Sequence, residues 1–172
     1  IGQLWKRWVT LFCSDSTGST RKGFSTSEKA IGQNLEKIIS HHNKWRLIIT
    51  IFSSWISRVK QIINACEKYD KYIFLSGRSM VENIAIAKDL WYLKSKTGRI
   101  RKMTPKNTQW IPLDKQIIIT TWSQWEEFSA LTRMAEWRHN SIEILAWDTI
   151  VFSSSVVPGN EKSVYWVINK LI

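Results

Sequence analysis

The sequence predicts an α/β fold: a mainly parallel sheet with helices on both faces. Two observations carry this reading. Short apolar runs rich in strand formers alternate with stretches whose apolar residues recur at helical spacing. A loop rich in Ser and Thr stands between each run and the helical stretch after it. Strand-helix alternation implies parallel β-α units, which need cover on both faces of the sheet.

"VTLFC" (9–13) reads as the first strand, followed by the loop "SDSTGSTRKGF". A helical stretch starts at Thr26, where Ser25 and Glu28 have capping-box spacing and Ile31, Leu35, Ile38 and Ile39 form the apolar stripe. "RLIITIF" (46–52) is the next strand and "SSWIS" its loop. Ile56, Val59, Ile62, Ile63 and Cys66 make the next helical stripe. "YIFLS" (72–76) leads through "GRSM" into "VENIAIAKDL". "QIIIT" (116–120) leads through "TWSQW" into "EEFSALTRMAE". "IEIL" (142–145) and "TIVF" (149–152) lead through "SSSVVPGNE" into "KSVYWVINKLI". Residues 94–115 interrupt the rhythm with Pro105, Pro112 and six basic residues in "KSKTGRIRKMTPK", and read as a linker.

With 172 residues the chain is expected to be one domain able to bury a core. Its apolar runs are too short for a membrane span. It opens on Ile1 with no initiator Met or signal-peptide pattern, so it reads as an internal piece of a longer cytoplasmic protein. Cys13 and Cys66 lie in apolar patterns and form no CxxC pair; reduced core positions are expected. The net charge of +11 favours an anionic partner, nucleic acid above all.

Ligands of open α/β sheets bind outside the carboxyl ends of the strands. Those ends read "SDST", "SSWIS", "SGRSM", "TWSQW" and "SSS", five hydroxyl loops expected at one rim. Each precedes a helix whose free N–H groups attract anions, and Arg58 and Arg78 sit in the first turns after two of them. For a single loop, Ser and Thr are adequately explained as helix caps; five loops on a basic chain point to a polyanion site. There is no P-loop and no GxGxxG motif. His41, His42 and His139 have neither HxH nor HExxH spacing and read as surface residues near helix ends. Asp15, directly after the first run, is either a turn residue or a group that holds a catalytic histidine from behind.

Five motifs in order, "LFCSDSTG…GFSTSE", "RLIITIFSSWISRVKQII", "IFLSGRSMVENIAIAKDLWYL", "IIITTWSQWEEFSALTRMAE" and "DTIVFSSSVVPGNEKSV", resemble the β-CASP region of bacterial ribonuclease J. The resemblance covers nearly the whole chain. It implies that residues 1–20 end an N-terminal metallo-β-lactamase part and residues 21–172 form a β-CASP α/β domain. It implies RNA as partner and two zinc ions in the intact enzyme, held by HxHxDH and HxSGH segments outside these residues. No metal ligand is expected within them, and the isolated chain is expected to cleave no RNA. Asp15 matches the acid that supports a catalytic histidine located elsewhere. The expected RNA contacts are Ser16, Thr17, Phe52, Ser54, Arg58, Arg78, Ser79, Ser123, Gln124 and Ser154. Oligomerisation through missing domains is compatible with the resemblance, as is either exonuclease or endonuclease action. The alternative is a stand-alone, non-catalytic RNA- or nucleotide-binding α/β module.

The chain departs from the family pattern at its tryptophans, which number eleven against seven glycines. The family reads TGSQGE where residues 121–126 read TWSQWE, LGYL where residues 90–93 read LWYL, and GDT where residues 147–149 read WDT. Trp8, Trp45 and Trp137 also match family glycines. GGA and UGA differ by one base, and some bacterial lineages read UGA as glycine. The expectation is that all eleven are glycines in the cell, with Trp122, Trp125, Trp137 and Trp147 placed in turns and outside the core. The rival is that real indoles stack on bases. Glu127 replaces a common proline, Gly18 a common asparagine, and Trp55 a position that is usually asparagine.

Overall fold

The computed structural model describes residues 22–95, 99–122 and 129–172, with scattered positions before residue 22. Its elements are α1 (Glu28–His41), β1 (Leu47–Ile51), α2 (Ile56–Lys68), β2 (Tyr72–Ser76), α3 (Arg78–Asp89), β3 (Ile100–Lys102), α4 (Pro105–Thr108), a 3-10 turn (Leu113–Lys115), β4 (Gln116–Thr121), α5 (Ala130–Ala135), β5 (Thr149–Phe152) and α6 (Glu161–Leu171). The five strands form one all-parallel sheet in the order β3-β2-β4-β1-β5.

Alternate residues of the central strands face opposite layers, as the two-residue period of a strand requires. Leu47, Ile49, Ile51, Ile73, Leu75, Ile117 and Ile119 pack with residues of α1, α2 and α3, including Leu35, Ile39, Ile62, Met80 and Ile84. Ile48, Phe74 and Ile118 pack on the other side with Ala130 and Met134 of α5. Val164 and Val167 of α6 join Leu131, Ala135 and Trp122 in a third cluster. Helices therefore cover both faces, as the strand-helix rhythm implies.

Several local expectations are corrected. Ser27, not Ser25, caps α1, accepting from the Ala30 N–H at 3.2 Å. "IEIL" is no strand: Ile142 packs into the core from irregular chain, and β5 alone pairs with β1. Val9, Thr10, Leu11 and Cys13 of the first apolar run are exposed and unpaired in any strand; Phe12 lies outside the described residues. Cys13 is thus no core residue, whereas Cys66 is fully buried and burial pushes its thiol far above the usual range. The linker expected at 94–115 contains β3, α4 and the 3-10 turn. β3 is a short edge strand carrying Arg101 and Lys102, charge of the kind that blunts an exposed sheet edge. One apolar residue followed by two basic ones over three positions left too little pattern to identify it.

The entrances of β1 and β5 are tied by one ion pair. Arg46 Nε donates to Asp148 Oδ1 at 2.9 Å, and its Nη2 donates to both Asp148 Oδ2 and the Glu143 carbonyl. Asp148 Oδ2 also accepts from the Leu145 N–H at 2.9 Å, and its side chain is inaccessible to solvent. Arg46→Met would strand a buried carboxylate, a loss of about 3–5 kcal/mol. Urea unfolding should read it as a drop in midpoint at constant slope; a drop under about 1 kcal/mol would mean that the pair contributes little.

Candidate functional site

The parallel pairing delivers the ends of all five strands to one rim. Of the five hydroxyl loops, those after β1 (53–57), β2 (76–79) and β5 (153–155) lie there. Asp15, Ser16 and Thr17, and Ser123 and Gln124 after β4, lie outside the described residues.

The two arginines at helix starts have opposite fates. Arg58 is buried: Nε and Nη2 donate to Glu28 of α1 at 2.8 and 2.5 Å, and Nη1 donates to the Ser153 carbonyl. These bonds hold the Glu28 carboxyl below the usual range. Arg58 thereby joins α1, α2 and the loop after β5, and its guanidinium is turned into the fold. Arg78, the first residue of α3, is exposed with Ser79 beside it. Ser54 is exposed; Phe52 is half-buried against the edge of Trp55, with centroids 5.0 Å apart. Ser154 Oγ is buried, with no partner among the described residues.

Arg78 opens onto a cleft of about 410 Å³ at the end of β2, lined among others by Ser76, Gly77, Lys102, Arg133 and His139. Gly77 has φ +102°, and a Cβ there would stand 2.5 Å from Thr121 Oγ1. Glycine is required on both counts, and it lets the backbone turn from β2 directly into α3. The N-terminus of α3 has no side-chain cap, so its free N–H groups face outward where an anion is favoured.

His139 was read from sequence as a surface residue, yet it is half-buried in this cleft. Its Nδ1 accepts from the Ser141 N–H at 3.2 Å, which places the proton on Nε2, 3.0 Å from Ser76 Oγ. Nε2–H donates to the hydroxyl, leaving the hydroxyl proton to donate in turn. Burial, and then the nearby Arg133 charge, hold the imidazole below its usual range. A second proton would also set Nδ1–H against the Ser141 N–H. Sequence reasoning missed His139, Arg133 and Lys102 because they reach the cleft through the tertiary fold; Ser76 and His139 are 63 residues apart.

Among the described residues no group of three or more His, Cys, Asp or Glu is placed to hold a metal. They do not fit a zinc site. No helix among them is long and apolar enough to cross a membrane.

The His139 geometry fixes a pH dependence. Its folded pKa lies below the unfolded value near 6.5, so its contribution is full above that value. It is lost as pH falls through the folded pKa. Stability should decline on acidification below about pH 6.5, and His139→Gln should flatten that segment of a stability-pH curve. An unchanged curve would mean that the imidazole is not held neutral.

A family model described as Ribonuclease J, beta-CASP domain, matches residues 44–171. The chain is 40% identical to the Ribonuclease J of Mycolicibacterium smegmatis over 163 residues, 95% of this chain and 29% of that one. It is 36% identical to the Ribonuclease J of Thermus thermophilus over 171 residues, 99% of this chain and 29% of that one. It is 34% identical to the Ribonuclease J of Mycoplasma genitalium over 166 residues, again 29% of that protein. The chain therefore spans about three tenths of the length of these curated relatives. A family match over most of the chain, on a parallel sheet with the expected strand ends at one rim, establishes that this chain belongs to the ribonuclease J family and carries its β-CASP domain.

Proposed function

We propose that this domain grips RNA by its phosphate backbone at the strand-end rim, as part of a zinc-dependent ribonuclease whose metal ligands lie outside these residues. The observation that carries the reading is the cleft at the end of β2. Arg78 and Lys102 are exposed on its wall, Arg133 lines it, and the uncapped start of α3 opens beside it. Three cations, a helix dipole and the Ser76 hydroxyl make a site for a phosphodiester with no demand on base identity. The names of the relatives support a ribonuclease. Arg58 is left out of the contact set because its guanidinium is committed to Glu28 and Ser153. Arg78, Ser79, Ser54 and Phe52 remain in it, together with Ser16, Thr17, Ser123 and Gln124; Ser154 stays in it only through its place in the loop after β5, since its hydroxyl is buried. Asp15 keeps its expected role of orienting a catalytic histidine outside the chain, and residues 1–20 remain assigned to the end of the metallo-β-lactamase part. The intact enzyme is placed in the cytoplasm, with exonuclease or endonuclease action both open to it.

Titration of the chain with single-stranded RNA over a series of salt concentrations tests the grip. Arg78→Ala and Lys102→Ala should each weaken binding for all sequences alike. Each should also make the slope of log affinity against log salt shallower by roughly one. Unchanged slopes in both variants would place RNA elsewhere. In the intact enzyme, Asp15→Ala should slow turnover by roughly 10- to 100-fold while leaving RNA affinity nearly unchanged. A loss of affinity with normal turnover would make Asp15 an RNA contact.

A further inference from the structure

Two helices end on tryptophan in a backbone conformation that side chains avoid. At the end of α3 the Trp91 N–H donates to the Lys88 carbonyl at 2.9 Å and the Tyr92 N–H to the Ala87 carbonyl at 2.8 Å. At the end of α5 the Trp137 N–H donates to the Met134 carbonyl at 3.2 Å and the Arg138 N–H to the Arg133 carbonyl at 2.8 Å. Each set is a complete Schellman motif, with the tryptophan at the left-handed position that glycine usually fills. Trp91 has φ 59° and Trp137 φ 60°. The other non-glycine residue with positive φ among the described residues is Asp70, a type that tolerates this region. Burial does not compensate: Trp91 is 77% exposed and Trp137 69%.

The pattern extends beyond these two. Trp110 and Trp147 lie inside turns closed by the Ile111 N–H to the Thr108 carbonyl and the Asp148 N–H to the Leu145 carbonyl, and both rings are exposed. Trp45 and Trp55 are exposed outside regular elements, against the usual high burial of tryptophan. Trp166 is an exposed helical residue on α6. Trp122 differs. It was expected outside the core, but it is 2% exposed and packs edge-on to Phe152 with centroids 4.8 Å apart. Trp5, Trp8 and Trp125 lie outside the described residues.

We propose that positions 91 and 137 are glycine in the protein as the cell makes it, UGA being read as glycine, and that every other tryptophan sharing that codon follows. The inference stands on backbone geometry and exposure and does not depend on the RNA reading. Its consequence for the rim is that indoles at 55, 122 and 125 give way to bare backbone wherever the codon is shared.

Peptide mass spectrometry of the natural protein reads the residues directly. Glycine at 91 and 137 is the expected result; tryptophan at either position, or UGG codons there, overturns the proposal. A second measurement tests the physical reason. In the tryptophan-bearing chain, Trp91→Gly and Trp137→Gly should each raise the folded-to-unfolded ratio by roughly five- to thirtyfold, by relieving a left-handed side-chain penalty. Trp91→Ala should recover much less, because alanine keeps the Cβ. Equal gains from alanine and glycine would sink the backbone argument. Trp122→Gly alone should lower the ratio, since it empties space beside Phe152, Leu131 and Val164.

Discussion

Parallel pairing of β2, β4, β1 and β5 is the constraint on which the rest of this domain depends. Because the strands run the same way, every connection out of a strand starts at one rim. The register also aligns the last strand residues into a row. Ser76 stands beside Thr120, and Thr120 beside Thr50, all pointing to the layer that contains α5. Directly below them the same row positions are Phe74, Ile118 and Ile48, all buried. This face of the sheet therefore switches from apolar to hydroxyl within the last two residues of each strand. Ser76 is satisfied by His139, whereas Thr50 Oγ1 and Thr120 Oγ1 find no partner among the described residues. A buried hydroxyl without a partner is destabilising, so this row is not what folding alone selects.

Charge divides the molecule by height along the strands. Below the rim, several cations hold elements together. Arg46 ties β1 to β5 through Asp148, and Lys71 Nζ donates to the carbonyls of His42 and Asp114 at 2.6 and 2.7 Å. Burial lowers the Lys71 pKa, because desolvation disfavours the ammonium even with two carbonyl oxygens accepting from it. Arg99 pairs with Asp70, and Lys115 reaches the same carboxylate at 3.2 Å. At the rim, Arg58 belongs with this structural group even though its sequence context matches that of Arg78. What separates them is the neighbour: α2 packs on α1, which brings Glu28 to Arg58, while α3 has no acid in its first turn and its Glu82, which lines the cleft, forms no ion pair with Arg78 among the described residues.

How much of this was legible in the sequence follows from the range of the interactions. β5 is bounded at the residues that "TIVF" marks, and β1, β2 and β4 fall within one residue of their apolar runs, because the three inner strands are buried on both faces and so are apolar along most of their length. The helical stripes were equally legible, since Val59, Ile62, Ile63 and Cys66 recur on one face whatever they pack against. "IEIL" has the composition of a strand, but a strand exists only through a neighbour, and β1 already pairs with β4 and β5. His139 has no local signature at all. Its role is set by a turn that returns the chain from α5 to the end of β2, and by the Ser141 N–H that fixes its tautomer.

The net charge of +11 is thus a weaker guide to function than the placement of a few cations. A surface charge in water attracts a phosphate only over about a Debye length, and salt erodes the attraction. A cation in a concave site with one low-dielectric wall does more, and a helix N-terminus adds a fixed partial charge that no salt bridge cancels. The cleft at the end of β2 combines both, and Arg133 Nε, buried there without a hydrogen-bond partner among the described residues, adds a donor with its desolvation already incurred in folding. Preorganised donors of this kind, at a rim set by strand direction, are what the proposed grip on an RNA backbone rests on.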